Sequence, residues 1–329
     1  MPDVWTHLIC GRQILPEVEA RLGVLTEDQK KLFFLGCQGP DLFFYYNFMP
    51  WAGDKRAVVL GNRLHHERCG LFFREALKYA KARPEPKILV YITALLSHWC
   101  LDRATHPYIN YISGVFSGKG PGGEKIINNH KRVEAAIDVI LARKMLNVDV
   151  RRVPVHPEID AGATLPDAVC DFYHHVLPLV HGEHYRNLEG TDFINKSYRD
   201  MVSALRLLHD PSGLKAALAS LYDTVSINVS NWRYYFYRDH DGDGEEYMNG
   251  EKRPWCHPMD SGERHRESFY ELFQTGVEDS LAMADLAARY VRGEADEREL
   301  QRSIKNISHS TGKPDTDRRV MRHFNPVLP

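Results

Sequence analysis

The chain contains no run of about 18 apolar residues, so no segment is expected to cross a membrane as a helix. It also lacks an excess of one charge. Forty-two Lys and Arg stand against 44 Asp and Glu, a formal net charge of −2, which argues against strong non-specific nucleic-acid binding. The start, Met1-Pro2-Asp3-Val4-Trp5-Thr6-His7, lacks the basic opening and apolar core of a secretory signal, so a cytoplasmic location is expected. The six cysteines (Cys10, Cys37, Cys69, Cys100, Cys170, Cys256) are scattered without a C-x-x-C pair. That pattern suits reduced thiols and argues against cysteine metal ligands. No Gly-x-Ser-x-Gly element or cysteine nucleophile motif is present. There is no internal repeat, and 329 residues need no staple in order to fold.

What the chain does have is histidine, 17 in all, and a dominant helical period. Thr26 followed three residues on by Gln29 forms a capping box that opens a helix towards Phe33-Phe34-Leu35. Helical spacing continues over about 57–82, stopping before Pro84, and from Pro86 to near Pro107. Further helices are expected over about 125–146, 166–182, 197–208, 213–236 and 263–292. Strand alternation is confined to 149–155, so the expected class is all-α. One domain over 1–307, with metal-site motifs in 1–145 and a helical half over 146–307, would end in a polar, mobile tail at 308–329.

Two patterns carry chemistry. His98 and Asp102 stand at i,i+4, which places imidazole and carboxylate on one helix face with Cβ atoms about 6 Å apart, close enough to share an ion. His106 follows one turn later. His130-x-x-x-Glu134 repeats the arrangement, and Asp138 continues its face. Either pair alone is more commonly a solvated surface interaction. Asp102, however, lies among Ile92, Leu95, Leu96, Trp99 and Leu101, where an uncompensated carboxylate would be costly and a cation would relieve it.

The ordered string His98-x-x-x-Asp102, His106-Pro107 and His130-x-x-x-Glu134, preceded by Trp5-Thr6-His7 and Gly39-Pro40-Asp41, resembles the zinc-dependent phospholipase C family, in particular its intracellular bacterial branch. That family is similar in fold and metal centre to the single-strand-specific zinc nucleases of fungi and plants. The resemblance covers residues 1–145 and implies a multi-helix domain around two or three zinc ions. One ion would take Asp41, His65, His98 and Asp102; another His106, His130 and Glu134; a third would share Asp102 and take His7. His66 competes with His65 on periodicity, and the family pattern favours His65. In secreted relatives an N-terminal Trp completes the third site, whereas here Trp5 is internal. Ligand type alone does not separate zinc from manganese or iron.

The resemblance further implies a hydrolase, a phosphodiesterase in which metal-activated hydroxide attacks phosphorus and Asp41 is the catalytic base. A small-molecule or lipid-headgroup phosphoester would be the substrate. Phe43, Phe44, Tyr45, Tyr46 and Phe48 could wall the site, Phe44 and Tyr45 being the substrate contacts singled out, with His257 in Pro254–Pro258 as a cap; all have core or turn roles as alternatives. A nuclease- or nucleotidase-like activity on the same site, and a non-catalytic, metal-stabilised helical binding protein, are the competing readings. Oligomeric state is left undetermined. The Gly-rich stretch 114–123 has Glu124 where a phosphate loop requires lysine. Asp239–Glu245 begins like a calcium loop but carries Gly250 at position twelve, so an acidic turn is expected.

Overall fold

A computed structural model describes residues 4–49, 51–114, 123–225, 232–238 and 244–328. The fold is mostly α, as the helical period requires. Along the chain run α1 (Val4–Leu22), α2 (Glu27–Gly36), α3 (Arg56–His66), α4 (Cys69–Ala82), α5 (Pro86–Ser113) and α6 (Gly123–Leu146). They are followed by α7 (His156–Ile159), α8 (Asp167–Arg186), α9 (Phe193–Leu208), α10 (Leu214–Val225), α11 (Glu245–Met248), α12 (Phe269–Arg292) and α13 (Glu297–Ser303). The α2 capping box forms with both of its reciprocal bonds.

α5 is the axis of the molecule. Apolar on nearly every side, it is buried along most of its length and packs against α12, α2, α1, α6 and α4. It passes through Pro107 instead of stopping there, because Tyr108, Ile109 and Ile112 bury beyond the proline and offset its missing hydrogen bond. Gly276 of α12 lets the two helices touch: a Cβ there would lie 2.9 Å from the Leu101 Cα.

Four expectations change. The 57–82 stretch is two helices, broken where Arg68 adopts a left-handed φ of 56°. Residues 149–155 form turns held by the Asp149 carboxylate, not a strand. The one sheet among the described residues is a hairpin, β1 (Trp255–His257) against β2 (Asp260–His265). The segment after Ser308 does not stand free. It crosses the molecule as a strap, with Arg322 N donating to the Pro258 carbonyl (2.8 Å), Asn325 N to Tyr111 (2.8 Å) and Val327 N to Ile112 (2.8 Å). Its polar composition suggested mobility; backbone pairing with buried elements anchors it. Most of the Gly-rich stretch and Asp239–Asp243 lie outside the described residues. Glu245 of the acidic segment accepts the Gly250 (2.9 Å) and Glu251 (2.7 Å) amides.

Candidate metal centre

Every candidate site residue except His257 sits on α5 or on one of four other elements. α5 itself supplies His98, Asp102 and His106 from successive turns of one face. α1 supplies His7, α3 His65 and α6 both His130 and Glu134. The 3-10 turn Gly39–Tyr45 supplies Asp41. Gly39 has a φ of 59° and lies against the His98 ring, where a Cβ would come within 2.3 Å. Only glycine permits that approach, and it is what sets Asp41 beside α5.

Asp102 is the hub. Its Oδ2 lies 2.8 Å from His98 Nε2, and its Oδ1 lies 3.3 Å from His7 Nε2 and 3.2 Å from His106 Nδ1. Glu134 is the second anchor, with Oε1 2.9 Å from His130 Nε2 and 3.4 Å from His106 Nε2. Asp41 Oδ1 meets His65 Nε2 at 2.9 Å. His65 is buried while its competitor His66 is exposed, so the structure brings the former to Asp41.

The ring protons show what this arrangement suits. His98 Nδ1 is 3.1 Å from the Cys37 carbonyl and His65 Nδ1 2.7 Å from the Gly61 carbonyl. A carbonyl only accepts, so each ring donates from Nδ1 and turns its Nε2 towards a carboxylate. His130 does the same. Ser113 Oγ donates its one hydrogen to the Ile109 carbonyl at 2.7 Å and so can accept from His130 Nδ1 at 3.3 Å. His98 Nε2 makes no hydrogen bond although a carboxylate oxygen is 2.8 Å away. A cation shared by the two would satisfy both. Outer-sphere carbonyls fixing the tautomer in this way are the usual support of histidine metal ligands.

Burial works to raise the Asp102 carboxyl, but the His98 and His106 rings more than reverse this and hold it well below the ordinary carboxylate range. Asp41 is likewise lowered by the His65 imidazole against the effect of burial. Between His7, Asp102, His106 and Glu134 on one side and Leu101, Ile109, Ile137 and Phe269 on the other is a cavity of about 10 Å³, room for about one water-sized sphere.

His309 was absent from the sequence-derived set. It arrives on the strap, buried, with Nδ1 3.0 Å from Asp102 Oδ2, and its backbone N–H donates to the His65 carbonyl at 2.9 Å. Its local sequence, Ser308-His309-Ser310-Thr311-Gly312, carries no helical spacing to announce it. Burial pushes this imidazole down to about 3, against the Asp102 bond, so the ring is neutral.

Other expectations are redistributed. Asp138, aligned with the His130–Glu134 face, caps α1 instead, accepting Trp5 N (3.1 Å), Thr6 N (2.8 Å), Thr6 Oγ1 (2.6 Å) and Tyr237 OH (2.7 Å). Of the aromatic run, Phe44 stacks on a site residue, His65, at 4.8 Å. Tyr45 is buried in the core with Phe43 and Tyr46. His257 is used on both nitrogens, by the Thr311 carbonyl (2.9 Å) and the Met259 amide (3.1 Å), so it braces the strap and does not face a substrate.

Residues 6–156 match the model of the zinc dependent phospholipase C family, the stretch that holds every candidate ligand except His309. No curated protein and no solved structure matches the chain.

Proposed function

We propose, with similarity to zinc dependent phospholipase C over residues 6–156 as the premise, that the chain is a zinc-dependent phosphodiesterase. At the coarser level, that match and the buried His/Asp/Glu groups support a zinc phosphoesterase. The observation that carries the reading is the geometry: the Nε2 atoms of His65, His98 and His130 lie 2.9, 2.8 and 2.9 Å from the carboxylates of Asp41, Asp102 and Glu134. His65, His98, Asp102 and Asp41 would hold one ion, and His106, His130 and Glu134 another. Asp102 lies between the two groups and also meets His7. Trp5 cannot assist at the His7 position through its amide, which is given to Asp138.

Zinc bound there supplies positive charge to the phosphoryl and leaving oxygens and lowers the pKa of water towards neutrality. The protein supplies the rest. Asp41, kept ionised beside His65, accepts the proton of the attacking water as the P–O ester bond breaks, and the departing oxygen takes up a proton. Three protein ligands on the His106 group leave a position for a substrate oxygen. His130 is the most exposed ligand, its side chain 28% accessible, and marks the side from which substrate enters. Phe44 offers an aromatic face beside His65 for a small-molecule or lipid headgroup. Six free cysteines agree with a reducing, cytoplasmic setting, and among the described residues no helix is long and apolar enough to cross a membrane.

The test is hydrolysis of bis-p-nitrophenyl phosphate by the zinc-loaded protein. Asp41→Asn is expected to lower kcat by about 10²-fold or more. Undiminished turnover in that variant, or none in the wild type, would refute the assignment.

A further inference from the structure

The strap places a histidine inside the metal centre from a part of the chain that the family match does not reach. We propose that His309 is itself a protein ligand, joining His65, His98 and Asp102 in the first ligand group. Zinc then ties the C-terminal strap to the helical body. This rests on the zinc reading above and adds to it a ligand, and a function for the last twenty residues.

The four donor atoms lie within 4.8 Å of one another, and all four residues are buried. Three nitrogens and one carboxylate oxygen are a normal complement for zinc. His309 is delivered there by construction. Ser308 Oγ donates to the His65 carbonyl at 3.2 Å, which also takes the His309 amide, so the strap is hydrogen-bonded to the residue whose ring it joins. On either side Trp99 Nε1 holds the Ile307 carbonyl (2.9 Å) and Asn110 Nδ2 the Ser310 carbonyl (2.8 Å). The His309 ring tilts over His65 at 4.8 Å and His98 at 5.5 Å.

A purely structural imidazole accounts poorly for this position. The local strap is polar and gains little from burying a ring against two other imidazoles.

The test compares wild type with His309→Ala by zinc content, by the visible absorption of the cobalt-substituted proteins, and by amide exchange in 308–328 before and after chelation. Support would be loss of zinc from one site or release to chelator about tenfold faster or more, an altered cobalt spectrum, and faster exchange at Asn325 and Val327 in the metal-stripped wild type. Unchanged zinc retention and an unchanged cobalt spectrum would overturn the proposal and leave His309 a hydrogen-bond partner of Asp102. Should the variant fail to fold by circular dichroism, the wild-type exchange decides alone: no change at the strap on metal removal refutes it. A wild type that binds no zinc would refute the proposed function first; zinc retained with His309→Ala indistinguishable would remove this inference only.

Discussion

Gly39→Ala is the sharpest single perturbation of the site, because it removes no ligand atom. At a φ of 59° an alanine costs about 1 kcal/mol from backbone strain alone. Its Cβ would also stand 2.3 Å from two His98 ring carbons and 2.7 Å from Nε2. Either the ring moves, giving up its bond to the Cys37 carbonyl at about 1 kcal/mol, or the turn moves; overpacking of this kind adds about 1–3 kcal/mol. The total is about 3–5 kcal/mol. Gly293→Ala is the control. Its φ is 82° and no atom lies within 4 Å, so only the backbone cost of about 1 kcal/mol applies and zinc is untouched. Urea unfolding with zinc analysis of both variants separates the effects. If Gly39→Ala unfolds like Gly293→Ala and holds wild-type zinc, the packing of that turn on His98 does not position the site as argued.

Three further perturbations have defined outcomes. Asp102→Ala leaves His7, His98, His106 and His309 facing one another, so zinc should be lost and unfolding free energy should fall by about 3–5 kcal/mol, read by metal analysis and urea titration. Asp138→Asn should cost about 2 kcal/mol with zinc retained, since it weakens charge-assisted bonds to the first amides of α1; equal stability would contradict the capping role. His181, at the kink of α8, is buried with an unpartnered Nε2 and is pushed by burial down to about 4. The unfolded state therefore protonates first. The stabilisation is present above pH 6.5 and is lost as pH falls towards 4, by about 2 kcal/mol, so His181→Phe should flatten that part of the stability profile.

The half of the site that could be read from the sequence is the half built on single helices. His98, Asp102 and His106, like His130 and Glu134, converge because 3.6-residue periodicity alone puts them on one face. Asp138 shared the same face yet became a cap, since which helix end lies against it is a tertiary fact. His309 was invisible for the same reason: it meets Asp102 across 207 residues, through a polar strap whose order comes from backbone bonds to Pro258, Tyr111 and Ile112. Tyr45 and His257 looked available because composition does not reveal whether an aromatic or a ring nitrogen is already taken by the core or by a loop. The hairpin at 255–265 was missed because β2, Asp-Ser-Gly-Glu-Arg-His, lacks an apolar face.

The most direct test is to count zinc in protein purified without added metal and to measure bis-p-nitrophenyl phosphate hydrolysis by the same preparation. The account predicts about two ions per chain or more, one per ligand group, with activity abolished by chelation and restored by zinc. Less than about one ion per chain, unchanged in Asp102→Ala, would contradict it.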